Sequence, residues 1–80
     1  MPVTNNTTAY RQGVINISHA NPYEAGTEPW AAWQTGHRMR TSSKHETYAD
    51  ATAETYTKDG RVYVQVSHAG TVKGTHGFTA

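Results

Sequence analysis

The chain contains neither leucine nor cysteine, and that double absence limits how it can be held together. Small domains bury a modest share of their surface, and disulfides are a common staple where the core is thin. Here the large apolar side chains are Val3, Val14, Ile15, Ile17, Val62, Val64, Val66, Val72, Met39 and the aromatics. An 80-residue chain with 35% hydrophobic residues draws no more than about 3–5 kcal/mol from such a core. Without cysteine, thiolate zinc sites are excluded as well. Association is the remedy left, so a homo-oligomer or an obligate partner is expected.

The formal charge is +1, which lacks the strongly basic footprint usual for nucleic-acid binding. No apolar run is long enough to span a membrane. The N-terminal MPVTNNTTAY carries neither a basic segment nor an apolar stretch of the secretory type, so a cytoplasmic location is expected. Asn5, Asn6 and Asn16 open N-x-S/T triplets, read as chance matches in that setting.

Composition shifts near residue 45. The whole chain, 1–80, reads as a single domain with a helical half over 1–44 and a β half over 45–80. Residues 7–17 place Tyr10, Val14 and Ile17 at i, i+4 and i+7 of a helix, which Asn5 or Asn6 can cap. A loop follows, and Pro22 holds Asn21 away from the helical region. Gly26 then permits a positive φ ahead of Thr27, a good N-cap. Glu28 favours the helix dipole and Pro29 suits the first turn, so a second helix is predicted from Glu28 to about Thr41. Trp30, Trp33 and His37 share a broad face of it. Downstream, a three-stranded meander is predicted: Asp59-Gly60 is a strong hairpin turn and Ala69-Gly70 a second. Val62, Val64 and Val66 alternate with Tyr63, Gln65 and Ser67, giving one apolar and one wet face. Residues 41–50 read equally as loop or as helix extension. The fold class is therefore α+β, two short helices joined by an Asn-Pro-Tyr loop and packed on a small antiparallel sheet.

Gly13, Asn21-Pro22-Tyr23, Trp30 and Trp33-Gln34-Thr35-Gly36 sit in a pattern, over roughly residues 9–40, that resembles the ribosome modulation factor family and its small phage and mobile-element relatives. The resemblance implies a two-helix unit with the linker packed across both helices. It implies that Tyr23, Trp30 and Trp33 form a miniature core, with Gly13 and Gly36 letting the backbones approach. It also implies ribosome binding. This chain departs from the family in its near-neutral charge and in carrying His37 where an aromatic often follows the glycine, and the β half lies outside the resemblance.

The run HRMRTSSKH collects His37, Arg38, Arg40, Lys44 and His45, with no acid between Glu28 and Glu46. Cations complement a helix C-terminus, and the same residues would serve as phosphate or partner contacts. Tyr48, Tyr56 and Tyr63 can stack bases if they share an exposed face, although packing or protein contact is the commoner use. Tyr56, Tyr63, Val62 and Val64 are accordingly the candidate protein interface. The five histidines show no two-imidazole helical spacing, so no metal is expected. Ser67-His68 lacks an orienting third group, and GTVKGTHG lacks the spacing of a phosphate loop. Neither an enzyme nor a cofactor is expected. Three functions remain: a phage- or mobile-element-type inhibitor docking on a host protein, a ribosome- or RNA-associated regulator, and a virion or assembly component. Near-neutral charge places the inhibitor first.

Overall fold

The computed structural model describes residues 3–16, 20–41 and 49–79. In chain order it forms β1 (Thr4–Asn5), α1 (Thr7–Ile15), α2 (Glu28–Thr41), β2 (Thr52–Lys58), β3 (Arg61–His68) and β4 (Thr71–Thr79). The strands make one antiparallel sheet in the order β1-β2-β3-β4, and both helices pack on one side of it. The α+β class is as expected, with a fourth strand in place of the predicted three. The extra strand, β1, is two residues long and pairs Thr4 with Thr55 and Asn5 with Glu54.

Local chemistry explains the boundaries. Asn5 Oδ1 accepts from the Thr7 N–H at 3.0 Å and so satisfies a free donor at the start of α1. Asn6 holds the N-cap position without a side-chain cap bond; its amide instead donates to Thr55 Oγ1 at 2.6 Å. Helix α1 ends at Ile15, short of the predicted 17, and Ile17 lies outside the described residues. Helix α2 has the predicted bounds, and the Trp30 N–H donates to Thr27 Oγ1 at 3.3 Å as an N-cap should. Both hairpins turn on two residues with positive φ: Asp59 (53°) with Gly60 (74°), and Ala69 (54°) with Gly70 (79°). That is the twist a tight hairpin needs, and the non-glycine member carries its cost in each turn.

The core lies between the layers. Val62, Val64, Val66, Ala53 and Phe78 of the sheet meet Tyr10, Val14, Ala31, Ala32 and Met39 of the helices. Trp30 is partly buried against this cluster, edge-on to Phe78 with centroids 5.6 Å apart. Trp33 is buried, stacks on His37 at 4.9 Å, and borders a small hollow with Gln12, Asn16, Ala20 and Pro22. The broad Trp30–Trp33–His37 face is therefore divided between two interfaces.

The helices touch at the level of their backbones. A Cβ added to Gly13 would overlap the Trp33 carbonyl oxygen, and one added to Gly36 would overlap that of Tyr10. The linker lies against this pair. Asn21 donates through Nδ2 to Trp30 O (3.0 Å) and Gln34 Oε1 (3.2 Å), while its Oδ1 accepts from the Tyr23 N–H (3.0 Å). The Tyr23 hydroxyl donates to Gln12 Oε1 at 2.8 Å.

Candidate binding face

Alternation decides which strand residues meet the helices. On β2, Ala53 and Thr55 are buried and point inward, which sends Glu54, Tyr56 and Lys58 to the opposite face. On β3, Val62, Val64 and Val66 are 1%, 0% and 0% exposed, so Arg61, Tyr63 and Gln65 point outward. The register places these outward residues in rows: Glu54 beside Gln65, Tyr56 beside Tyr63, and Lys58 beside Arg61. None of the described helices covers this face.

This corrects one expectation. The sequence offers Val62 and Val64 as a protein interface together with the tyrosines, but the helices already cover both valines. A valine that is no more than 1% exposed has no surface left to offer a partner.

The tyrosines do share the open face. The Tyr56 and Tyr63 rings stack with centroids 5.1 Å apart and planes 19° from parallel. Tyr63 lies against Gly77 of the neighbouring strand, where an added Cβ would sit 3.3 Å from the ring. The glycine thus leaves a seat for the ring rather than a competing side chain. On the other flank, Val3, Tyr56, Lys58 and Gln65 border a shallow depression of about 390 Å³. The face therefore combines a rigid aromatic centre, an apolar edge at Val3 (52% exposed) and separated charges. Tyrosine supplies large contact area with few rotatable bonds, which is why it is enriched where proteins meet.

The other candidates are dispersed. Arg38 and Arg40 are exposed on α2, in the helical layer rather than on the open sheet face. The Arg38 guanidinium lies 4.8 Å from the Phe78 ring centroid, a cation–π contact. His37 is half-buried and stacks on Trp33. Lys44, His45 and Tyr48 lie outside the described residues. Gly13, Gly36, Tyr23 and Trp33 serve the helix pair and its linker, while the Trp30 ring packs on Phe78 of the sheet. Glu54, Lys58, Arg61, Gln65 and Val3 escaped the sequence reading as site residues. Their signal was available: two-residue steps from Tyr56 and Tyr63 reach all but Val3.

One carboxylate belongs to the architecture. Glu28, in the first turn of α2, accepts from Thr55 Oγ1 and Thr57 Oγ1, each at 2.8 Å. Burial raises its pKa, and hydroxyl hydrogen bonds from Thr57, Thr55 and Thr4 outweigh that, leaving it below the ordinary value. Thr55 is fully buried and accepts from Asn6 while donating to Glu28, so the N-cap of α1, β2 and α2 converge on one hydroxyl. Among the described residues, no group of three or more His, Asp or Glu is placed to hold a metal ion. No described helix is long and apolar enough to cross a membrane. Comparison with protein-family models, curated proteins and solved structures gives no match for this chain.

Proposed function

We propose that this chain is a non-enzymatic docking module, an inhibitor of the small phage- or mobile-element type, that engages a host protein through the open face of its sheet. The stacked Tyr56–Tyr63 pair on a face free of described helices carries this reading. The net charge of +1 and the mixture of Glu54 with Lys58 and Arg61 suit a protein surface better than a polyanion. A ribosome-associated regulator, as the resemblance of residues 9–40 implies, is the second reading. Its support is the exposure of Arg38 and Arg40 on α2, and it predicts binding that weakens steeply with salt.

A tagged chain and its Tyr56→Ala/Tyr63→Ala variant, used side by side to capture partners from bacterial lysate, separate the two. One protein should survive a high-salt wash on the wild type and be lost from the variant. Loss of a central tyrosine pair should cost at least about 2 kcal/mol of binding, roughly 30-fold. Recovery of ribosomal RNA that the salt wash removes and that Arg38→Ala abolishes would overturn the docking reading.

A further inference from the structure

The charges on the open face are ordered along the strands. Glu54 and Gln65 form the row on one side of the tyrosines, and Lys58 and Arg61 form the row on the other. The pattern is acid, aromatic, base, read along a single face. Such a face is complementary to its own copy in one orientation. A two-fold axis along the hydrogen-bonding direction, through the tyrosine row, sets β2 antiparallel to β2 of the second copy. Tyrosine then meets tyrosine, and Glu54 of each copy meets Lys58 of the other. Arg61 falls opposite Gln65, whose amide oxygen can accept from it. A two-fold axis along the strands, between β2 and β3, would instead set Glu54 against Gln65 and Lys58 against Arg61, and like charges placed opposite one another are penalised.

We infer that the open sheet face closes on the same face of a second copy of this chain, as an isologous dimer with the Tyr56–Tyr63 rows at its centre. The inference rests on the reading that this face takes a protein, and it names the occupant when the target is absent. Face-to-face sheets pack about 10 Å apart with a twist near 30°, a geometry that interleaves side chains of tyrosine size. The depression bounded by Val3, Tyr56, Lys58 and Gln65 gives the facing aromatic a place to enter. The four strands hold 2, 7, 8 and 9 residues, which at about 4.8 Å spacing and about 3.3 Å rise give a footprint of roughly 400 Å² per copy. Two such footprints total about 800 Å², in the range of weak, transient interfaces. We expect a dimer that forms at micromolar concentrations and that a better-fitting target displaces. Self-association also meets the need of a leucine-free chain for more buried surface.

Sedimentation equilibrium of the full chain, from about 1 to 500 µM, brackets the expected micromolar dissociation constant. The mass should rise towards twice the 8.8 kDa of the chain. Glu54→Lys alone and Lys58→Glu alone should each raise the dissociation constant at least about tenfold, since each makes both symmetric contacts repulsive. Mixing the two variants should restore association to within about threefold of wild type. In the mixed pair the introduced lysine meets the introduced glutamate at one contact, and the native Glu54–Lys58 pair forms at the other. Circular dichroism confirms that each variant is folded. A chain that stays monomeric at the highest concentration overturns the inference, as does a mixture no better than its components. The two proposals fail separately. A monomer whose target capture still needs Tyr56 and Tyr63 sinks the dimer and keeps the docking reading. A dimer whose tyrosine variant captures the target unchanged does the reverse.

Discussion

Helix α2 meets α1 through glycine and meets the sheet through valine. On the α1 side, Gly13 lies on the Trp33 carbonyl and Gly36 on the Tyr10 carbonyl, leaving no room for even a methyl group. On the sheet side, Val62, Val64, Val66 and Phe78 fill the space with side-chain volume. Each interface also has a polar clamp: Asn21 binds the linker to α2 on the first side, and Glu28 binds α2 to β2 on the second. The contrast shows how a chain without leucine makes a core. It brings two helices together closely enough that backbone, small residues and Val14 fill the gap, and places its other buried valines on the sheet.

The largest test of this contrast adds a methyl group on one side and removes two on the other. Gly36→Ala should gain about 1 kcal/mol from helix propensity, yet the overlap with Tyr10 O should reverse the sign. Overpacking a tight site costs about 1–3 kcal/mol, and more where the obstacle is backbone. A net loss of at least about 2 kcal/mol is expected, a fall in Tm of roughly 8–16 °C for a domain of this size. Val64→Ala should cost about 2 kcal/mol for the opposite reason, because atoms are removed and a cavity remains. Thermal unfolding followed by circular dichroism reads both. A Gly36→Ala chain as stable as wild type would break the comparison, since the helices would then have slack between them.

A smaller effect is expected from the linker clamp. Asn21→Ala removes two donated bonds and one accepted bond at a partly buried site. It should cost about 1–2 kcal/mol in urea unfolding. Faster amide exchange should concentrate at the Tyr23 N–H, whose acceptor is lost. A cost spread evenly over sheet and helices would show that the linker is not a separate fastening of the α1–α2 side.

Much of this organisation was legible in the sequence because its causes are local. Thr27, Glu28 and Pro29 start α2 by chemistry confined to four residues, and Asp59-Gly60 sets the register that brings Tyr56 beside Tyr63. The α+β class follows from these alone. What was not legible depends on pairings far apart in the chain. Strand β1 exists because Thr4 and Asn5 meet residues 54 and 55, and two polar residues carry no period of their own. Alternation in β3 separated an apolar from a polar face, but only the docking of the helices decides that the valines are consumed in the core. The open-face charges were overlooked for a related reason. Glu54, Lys58 and Arg61 are ordinary polar residues of a hairpin until the register aligns them with the tyrosines.

The smallest expected effect belongs to the clamp on the sheet side, and pH isolates it. Glu28 holds its pKa below the ordinary value of 4.5, burial being outweighed by the hydroxyls of Thr57, Thr55 and Thr4. A carboxylate with a lowered folded-state pKa contributes stability above its unfolded value and loses it as pH falls through the folded one. Glu28→Gln removes the ionised acceptor but keeps the size of the side chain. It should cost about 1 kcal/mol at neutral pH, a figure already reduced for solvent screening at this half-exposed position. Acidification affects every carboxylate, so the informative quantity is the difference in Tm between wild type and variant. That difference should be constant above about pH 5 and close as the pH falls below about 4, because protonated Glu28 resembles the glutamine. A gap that persists unchanged to about pH 3 would mean that the two threonines hold α2 through neutral hydrogen bonds alone. The sheet side would then resemble the Asn21 side, with a clamp indifferent to charge.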